Sequence, residues 1–322
     1  MMSNESIRLN HSQTAVWLME RDGFLVLSHK RPDGDAVGSA CGLVRALRKI
    51  GKTAYIYRNP EITPRYAPMS AQYIAPENFK ASCVISVDTA SLGMFPKGGE
   101  AYYGITELSI DHHGSHEDYS PYLCLEAGSA SCGEIIYEIA CDMDCEIDKE
   151  LAELLYVAVS TDTGCFRQAN TTARALEIGA KLVYAGADNV RINREFFEVK
   201  SSRRMAVEAV IMSSIHISSQ GKVAVAVLRQ VDIDRIGATE DDMDNISSIV
   251  SQVEGVVCGA LVREKKDCSK VSVRSSDGFD ASRLCALFGG GGHVGAAGCE
   301  IKDGPDKAAE LIERAAAEVL GL

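Results

Sequence analysis

The sequence has no Cys-x-x-Cys pair, although it carries 11 cysteines. An odd, scattered set does not indicate a disulfide framework or a thiolate zinc site. The closest two, Cys141 and Cys145, stand one helical turn apart, and the thiols read as buried or inert in a reducing cytoplasm. No apolar run approaches the ~20 residues of a membrane span, stretches such as Val223 to Leu228 being far shorter. The opening MMSNESIRLNHS lacks a basic segment followed by an apolar one, so no secretory signal is expected and the location expected is cytoplasmic. A surplus of positive charge is also missing. There are 33 basic and 45 acidic residues, for a net charge of −12. That excludes a broad basic surface gripping long duplex DNA, which depends on many phosphate contacts. It leaves room for a short nucleic acid in a local pocket, and metal-binding carboxylates would add to the acidity. No internal repeat and no low-complexity tract is visible.

What is present is ordinary soluble composition, 46% hydrophobic and 24% charged, over 322 residues. That length suits two domains with real cores. The first ~190 residues alternate apolar strands with helical patterns. Phe24 to Leu27 reads as a strand buried on both faces. Val37, Cys41, Val44 and Leu47 share one helix face, and Gly51 ends that helix. Further strands are predicted at Thr53 to Tyr57, Cys83 to Val87 and Leu108 to Ile110. Helices are predicted at about Ser131 to Ala140, Asp148 to Val159 and Thr172 to Ala185. This rhythm predicts a parallel α/β sheet with helices on both sides. The charged segment 189–212 reads as a helical linker. Beyond it, Ile215 to Ser218 and Val223 to Leu228 flank Ser219-Gln220-Gly221, a hairpin signal. A helix near Asp241 to Val253, strands near Val256 to Val262 and Val271 to Arg274, and helices near Ala281 and Lys307 complete a smaller mixed α/β domain. The division is 1–188, 189–212 and 213–322.

Polar residues gather where these strands end, which is where open α/β sheets bind ligands. Phe24 to Leu27 runs into Ser28-His29-Lys30-Arg31-Pro32-Asp33-Gly34-Asp35, where Pro32 and Gly34 bend the chain so that His29 and both carboxylates can converge. Taken alone, the segment reads equally as a metal loop or an Asx-rich turn at a helix start. Asp88 follows the next strand; a lone Asp there is more often a cap. Asp111-His112-His113 follows another strand, with paired surface histidines as the plain alternative, and neutral imidazole is a common metal ligand. Asp162 closes an apolar helix, where a simple C-terminus followed by a Gly turn would also serve. Together, His29, Asp33, Asp35, Asp88, His112 and Asp162 are two imidazoles and four carboxylates. Such a donor set suits Mn²⁺ or a similar ion, with Mg²⁺ possible. Six ligands suffice for two ions if one Asp bridges, a known arrangement for phosphoryl-ester hydrolysis. Two later segments suggest an anion site. Gly289 to Gly292 with His293 can bring backbone amides to phosphate oxygens, though the run lacks a P-loop ending and a flexible turn remains open. Val271-Ser272-Val273-Arg274-Ser275-Ser276 delivers a guanidinium to a strand end, where a solvated surface Arg is the alternative.

These residues together resemble the DHH phosphoesterase superfamily. The likeness rests on the His29 to Ser39 segment, Asp88, the Asp111-His112-His113 signature and Asp162, with the Gly-rich run and Arg274-Ser275-Ser276 resembling the DHHA1 domain of one branch. It spans nearly the whole chain and is similar to the branch of short-RNA nucleases, 3′-phosphoadenosine 5′-phosphate (pAp) phosphatases and linear di-adenylate phosphodiesterases. The resemblance implies an N-terminal parallel-sheet DHH domain, a helical linker and a DHHA1 domain. It implies two Mn²⁺ ions, Mg²⁺ or another divalent ion being an alternative. His29 and Asp33 would hold one, Asp35, His112 and Asp162 the other, and Asp88 both. Asp111 would orient a ligand, and His113 would contact the scissile phosphate and protonate the leaving oxygen. Arg274, Ser276, Gly291, Gly292 and His293 would hold the substrate's end, with Arg167 a further contact. The expected reaction is hydrolysis of short 5′-phosphorylated RNA or linear dinucleotides to 5′-mononucleotides by a metal-bridged water, with pAp as another substrate. Rivals are a phosphomonoesterase or inorganic pyrophosphatase, or a metal-dependent nucleotide sensor. No long duplex DNA and no membrane is expected as partner; a homodimer seated on exposed apolar surface of the N-terminal domain is a further expectation.

Overall fold

Phe24, Leu25, Val26 and Leu27 are all buried, because each face of this strand meets a different apolar layer. Phe24 and Val26 enter the main core, while Leu25 and Leu27 enter a smaller aromatic cluster. The computed structural model describes residues 5–243, 245–276 and 278–322. The chain forms two compact units, Met1–Val199 and Lys200–Leu322. The segment read as a linker therefore contains a division, with the short helix Asn189–Asn193 and a π-helical turn Arg194–Glu198 before it and the helix Ser202–Ser213 after it.

The strands of the first unit are β1 (Ile7–Arg8), β2 (Phe24–Leu27), β3 (Ala54–Ile56), β4 (Cys83–Val87), β5 (Thr106–Asp111) and β6 (Tyr122–Leu125). Their order is β1-β6-β5-β4-β2-β3, and every pairing is parallel. The helices are α1 (His11–Met19), α2 (Gly34–Lys49), the single turn α3 (Ala67–Ser70), α4 (Cys132–Asp142), α5 (Lys149–Asp162), α6 (Ala173–Tyr184) and α7 (Asn189–Asn193). The expectation of helices on both faces is corrected. Side chains of α1, α2, α4, α5 and α6 share one continuous core with one face of the sheet. The opposite cluster is completed by loop and 3₁₀ residues such as Phe79, Phe95, Tyr102 and Tyr119. Aromatic rings bury enough area to cover a short sheet without a helix. The unforeseen α1 begins at a capping box, Asn10 accepting from the Gln13 amide while the Gln13 side chain accepts from the Asn10 amide.

Helices α2 and α5 approach closely because Gly34, Gly38 and Gly42 recur every four residues along α2. A Cβ on Gly38 would stand 2.6 Å from the Leu154 carbonyl oxygen and 2.9 Å from the Ala158 nitrogen. A Cβ on Gly133 of α4 would stand 2.6 Å from the Ala158 Cβ. Three helices thus meet around Ala158, and the first turn of α2 and the last turn of α5 are held side by side.

The second unit contains α8 (Ser202–Ser213), β7 (His216–Ser218), β8 (Val223–Leu228), α9 (Gln230–Ile236), β9 (Cys258–Glu264), β10 (Ser269–Ser275), α10 (Ala281–Ala286), β11 (Gly291–His293), β12 (Ala296–Ile301) and α11 (Pro305–Leu320). Its strand order is β11-β12-β10-β9-β8-β7, antiparallel except for β8 with β9. Val223 and Val225 point into the core that α10 and α11 complete, and Ala224, Ala226 and Leu228 into the one that α8 and α9 complete. The helix expected near 241–253 is instead two 3₁₀ stretches, Asp241–Met243 and Ile246–Gln252. Asn245 between them is left-handed, at φ 49°, which a continuous α-helix does not allow; Asp244 lies outside the described residues, as do residues 1–4 of the opening stretch.

Candidate functional site

The carboxyl ends of β2, β4 and β5 and the end of α5 bring one group of side chains together. After β2, the chain passes His29, turns through Arg31 at φ 49°, and starts α2 with Asp33 as N-cap. The Asp33 Oδ1 accepts from the Ala36 amide at 3.0 Å. Asp35 is fully enclosed one position inside that helix. It accepts from the Ser39 hydroxyl at 2.8 Å and from the amides of Cys132 and Gly133 at 2.7 and 3.0 Å. One carboxylate therefore lies at the positive N-terminal ends of both α2 and α4.

Asp88, immediately after β4, is buried and adopts φ 54°, a left-handed conformation that costs a non-glycine residue about 1–2 kcal/mol. Its Oδ1 has no hydrogen-bond partner. A buried carboxylate oxygen left bare is expensive and marks a place that expects a cation. The Asp88 carboxylate lies 3.6 Å from His29 Nε2 and 3.5 Å from His112 Nε2. His29 Nε2 is 3.8 Å from Asp33, and His112 Nε2 is 3.7 Å from Asp35 and 3.8 Å from Asp162. All six residues singled out for metal binding thus fall in overlapping groups: His29, Asp33 and Asp88 form one, Asp35, His112 and Asp162 another, and Asp88 also groups with His112 and His113 and with Asp35 and Cys132. The donors are imidazole nitrogens and carboxylate oxygens, which fit Mn²⁺ or Mg²⁺ rather than a thiophilic ion. The Cys132 thiol also lies near Asp35 and Asp88, but burial, with Asp88 and Asp35 beside it, pushes its pKa well up and keeps it neutral.

The electrostatics match that reading. Burial, with Asp88 and Asp162 beside it, pushes the Asp35 carboxyl up, and Asp162 is raised to about 6, by burial first and then by Asp33 and Asp88. Burial works to lower both imidazoles, yet Asp33 and Asp88 raise His29 to about 9. The carboxylates of Asp88, Asp35 and Asp162 likewise raise His112 to about 10. Carboxylates crowded this closely repel one another, and protons on the imidazoles relieve the repulsion, as a cation held there would.

Behind the cluster, Asp111 accepts from the His112 and His113 amides at 2.7 and 3.2 Å and from His113 Nδ1 at 2.8 Å. His113 lies 3.6 Å from Asp88, with its ring partly open to solvent. The other face of His112 is set by a loop that sequence reading passed over. His112 Nδ1 donates to the Ser129 carbonyl at 3.2 Å, which turns Nε2 toward the carboxylates. The Ser129 hydroxyl donates to Glu126 at 2.8 Å, and Glu126 also meets Arg174 at 2.7 Å and His11 at 2.5 Å. Burial alone would raise the Glu126 pKa, but Arg174 and Ser129 hold it below the ordinary range. Tyr119 and His116 were also missed. No motif signals such residues, because their partners are distant in sequence.

Arg167 is not tied to this cluster; it is exposed, and its Nε donates to the Gly164 carbonyl at 2.8 Å. Arg274, Ser276, Gly291, Gly292 and His293 lie in the second unit. There Arg274 on β10 and His293 on β11 both sit opposite Ala296 of β12, so the register places them in one row across three strands. Arg274 is half-buried, its guanidinium donates to the Val273 carbonyl with no acidic partner among the described residues, and burial lowers its pKa. A guanidinium so placed favours an anion beside it. Ser276 uses its amide and hydroxyl locally, on the carbonyls of Val257 and Val256. The glycine run is no loose turn: it enters an edge strand, where Gly292 at φ 147° lies too close to the Ala296 carbonyl oxygen, 2.6 Å from any Cβ, to carry a side chain.

Among known proteins, two family descriptions match this chain: the DHH family, N-terminal domain, over residues 23–159, and the DHHA1 domain over residues 220–320. The chain is 29% identical, over 86% of its length and 83% of the relative's, to the bifunctional oligoribonuclease and PAP phosphatase NrnA of Thermus thermophilus. Its fold is similar to that of an exopolyphosphatase-related protein from Bacteroides fragilis, at a TM-score of 0.85 and 24% identity, covering 96% of both chains. It is similar also to RecJ of Thermus thermophilus, solved with Mn²⁺, at a TM-score of 0.54 and 14% identity, covering 97% of this chain and 55% of RecJ. Among the described residues no helix is long and apolar enough to cross a membrane.

Proposed function

Because the chain belongs to the DHH/DHHA1 superfamily, we propose that it is a two-metal phosphoesterase that cleaves short 5′-phosphorylated oligonucleotides into 5′-mononucleotides and also removes phosphate from pAp. The observation that carries this reading is the clustering of six nitrogen and oxygen donors in overlapping groups around Asp88, whose Oδ1 is buried and has no hydrogen-bond partner. His29 and Asp33 would hold one ion, Asp35, His112 and Asp162 the other, and Asp88 both. Divalent ions bound there supply polarisation of a phosphoryl oxygen and a water acidic enough to be a nucleophile near neutral pH.

The protein's own groups do the rest. Asp111 fixes the tautomer of His113 by taking its Nδ1 proton in a 2.8 Å hydrogen bond, so Nε2 is the free atom. Protonated, that atom holds a proton where the leaving oxygen departs; its pKa is raised, chiefly by the Asp111 bond. In the second unit, Arg274, His293 and the backbone of Gly291 and Gly292 bind the far end of the substrate, and Ser276 lines the same strand end. Arg167, exposed and five residues beyond Asp162 in the chain, would be a further substrate contact. Anchoring one terminal nucleotide favours short chains over long ones. The Thermus relative is named for both activities, oligoribonuclease and PAP phosphatase. The likeness to it supports proposing the two together.

Product analysis tests the proposal. The protein is incubated with Mn²⁺ and an equimolar mixture of 5′-phosphorylated di-adenylate, pAp and pyrophosphate. Release of AMP from the dinucleotide supports the proposal. Consumption of pyrophosphate alone would mean the second unit has been misread, products with 3′-phosphates would reverse the scissile bond, and stoichiometric nucleotide binding without turnover would favour a sensor.

A further inference from the structure

Beneath the cluster lies a buried polar chain that no motif assigns. His116 is stacked on Tyr119 with ring centroids 4.9 Å apart, and its side chain is inaccessible to solvent. His116 Nε2 lies 2.9 Å from the Ser109 hydroxyl, which lies 3.1 Å from the Tyr119 hydroxyl. The Tyr119 hydroxyl also lies 2.9 Å from the Ser86 hydroxyl and donates to the Thr89 carbonyl at 2.7 Å. One direction satisfies these atoms: His116 Nε2–H to Ser109, Ser109 O–H to Tyr119, Tyr119 O–H to Thr89. It leaves only the lone pair of His116 Nδ1 bare, which costs less than a bare N–H, and burial lowers the pKa of this histidine and keeps it neutral.

The end of this chain matters most. Thr89 follows Asp88, whose left-handed backbone is strained. Few bonds hold that turn: the Asp88 amide donates to the Ile110 carbonyl at 3.0 Å, the Thr89 hydroxyl to the Val87 carbonyl at 3.1 Å, and Tyr119 to the Thr89 carbonyl. Ser86 precedes the turn on β4 and Ser109 lies on β5, so one phenol ties both strand ends that carry the site. Strained backbone persists only where its surroundings over-determine it.

We propose that Tyr119 is a positioning residue for the metal centre: its hydroxyl locks the Asp88–Thr89 turn and so sets the aim of the carboxylate that both ions would share. The inference rests on the two-metal reading above. Partners beyond the ligands of a metal site change affinity by about 10–100-fold when removed. Tyr119→Phe deletes one oxygen and keeps the ring that packs on His116 and, edge-on at 5.5 Å, on Phe95.

The experiment is Mn²⁺ titration of the full chain, read from the loss of the free-ion electron paramagnetic resonance signal. Tyr119→Phe is expected to bind Mn²⁺ at least tenfold more weakly than the wild type. Phe95→Leu, which loosens the same aromatic cluster but keeps the hydroxyl, is expected to bind as the wild type does. Equal affinity in Tyr119→Phe and the wild type overturns the proposal, and so does an equal loss in Phe95→Leu, which would make Tyr119 merely structural. If Phe at 119 prevents folding, Tyr119→4-fluorophenylalanine fills the space of the hydroxyl without a proton to donate to the Thr89 carbonyl, and undiminished affinity there overturns the proposal. A wild type that binds no Mn²⁺ removes the two-metal reading itself, an outcome distinct from the others.

Discussion

Replacing Gly38 by alanine tests whether the close approach of α2 and α5 builds the site. Alanine is a better helix former than glycine by about 1 kcal/mol, so on propensity alone the variant would be more stable. The structure argues the other way. The new Cβ would meet the Leu154 carbonyl oxygen at 2.6 Å and the Ala158 nitrogen at 2.9 Å, both backbone atoms that no rotamer change can move. Restoring ordinary contact requires α5 to retreat by roughly 0.8 Å. Overpacking costs about 1–3 kcal/mol, and two backbone atoms closer than 3.0 Å put this site at about 2–3, which outweighs the gain and leaves a net loss of about 1–2 kcal/mol. In a unit of this size that corresponds to a fall of roughly 2–8 °C in Tm. Asp162 ends α5 and Asp35 lies in the first turn of α2, so the same retreat separates carboxylates whose spacing a metal site tolerates to about 0.2 Å. The assay is thermal unfolding in EDTA and in excess Mn²⁺. Gly38→Ala should unfold earlier in EDTA and also gain less from Mn²⁺ than the wild type. Gly42→Ala is the control, since its Cβ would meet only the tip of the Leu155 side chain, Cδ2 at 2.7 Å, which can swing away. A Gly38→Ala protein as stable as the wild type, with the full Mn²⁺ gain, would refute the reasoning.

Three further outcomes are expected. His29 and His112, with pKa values raised to about 9 and 10, carry protons at pH 7, so Mn²⁺ must displace them. Calorimetry in buffers of different ionisation enthalpy should report proton release, and affinity should rise with pH up to that range; buffer-independent heats would show that these imidazoles are not displaced. Asp148 caps α5 and bonds Arg45 at 2.6 Å and Lys49 at 2.9 Å; burial raises its pKa, but these partners prevail and hold it at about 2. Because that lies below the ~3.9 of an unfolded Asp, its contribution is present above about pH 4 and is lost as pH falls toward 2. Asp148→Ala should therefore cost about 1–2 kcal/mol in urea unfolding at pH 7 and progressively less in acid, whereas a constant cost would mean that charge is not its source. Arg274→Ala should raise KM for a 5′-phosphorylated dinucleotide about 10–100-fold with kcat nearly unchanged, and a kcat loss at constant KM would place Arg274 elsewhere in the reaction.

The residues of the site were legible because chemistry interrupts pattern there. Phe24 to Leu27 and Cys83 to Val87 are apolar without alternation, as strands buried on both faces must be, and the polar residues that follow them stand out. What was illegible depends on partners distant along the chain. Tyr119 shows its role only when Thr89, 30 residues earlier, is beside it. Glu126 shows its role only with Arg174, 48 residues later, in contact. The four-residue strand β6 and two-residue strand β1 are too short for period two to emerge. The single-faced arrangement of helices was misjudged because aromatic side chains from loops, which carry no periodic signal, cover the other face. One missed feature was visible after all: Gly34, Gly38 and Gly42 at intervals of four announce a close helix neighbour.

The pairing of β1 with β6 sets a schedule for synthesis. Ile7 and Arg8 must wait beside no partner until Tyr122 and Leu123 have left the ribosome. The last of the six clustered donors, Asp162, emerges some forty residues later still, by which time every strand of the first sheet is available to pair. The candidate pocket for the ions is therefore complete only when its scaffold is, unlike a zinc finger whose metal nucleates the fold. An ion that arrives after assembly stabilises by mass action alone. On the two-metal reading proposed above, the nascent chain would finish folding in a metal-poor cell and be charged later, at whatever rate the free ion pool permits.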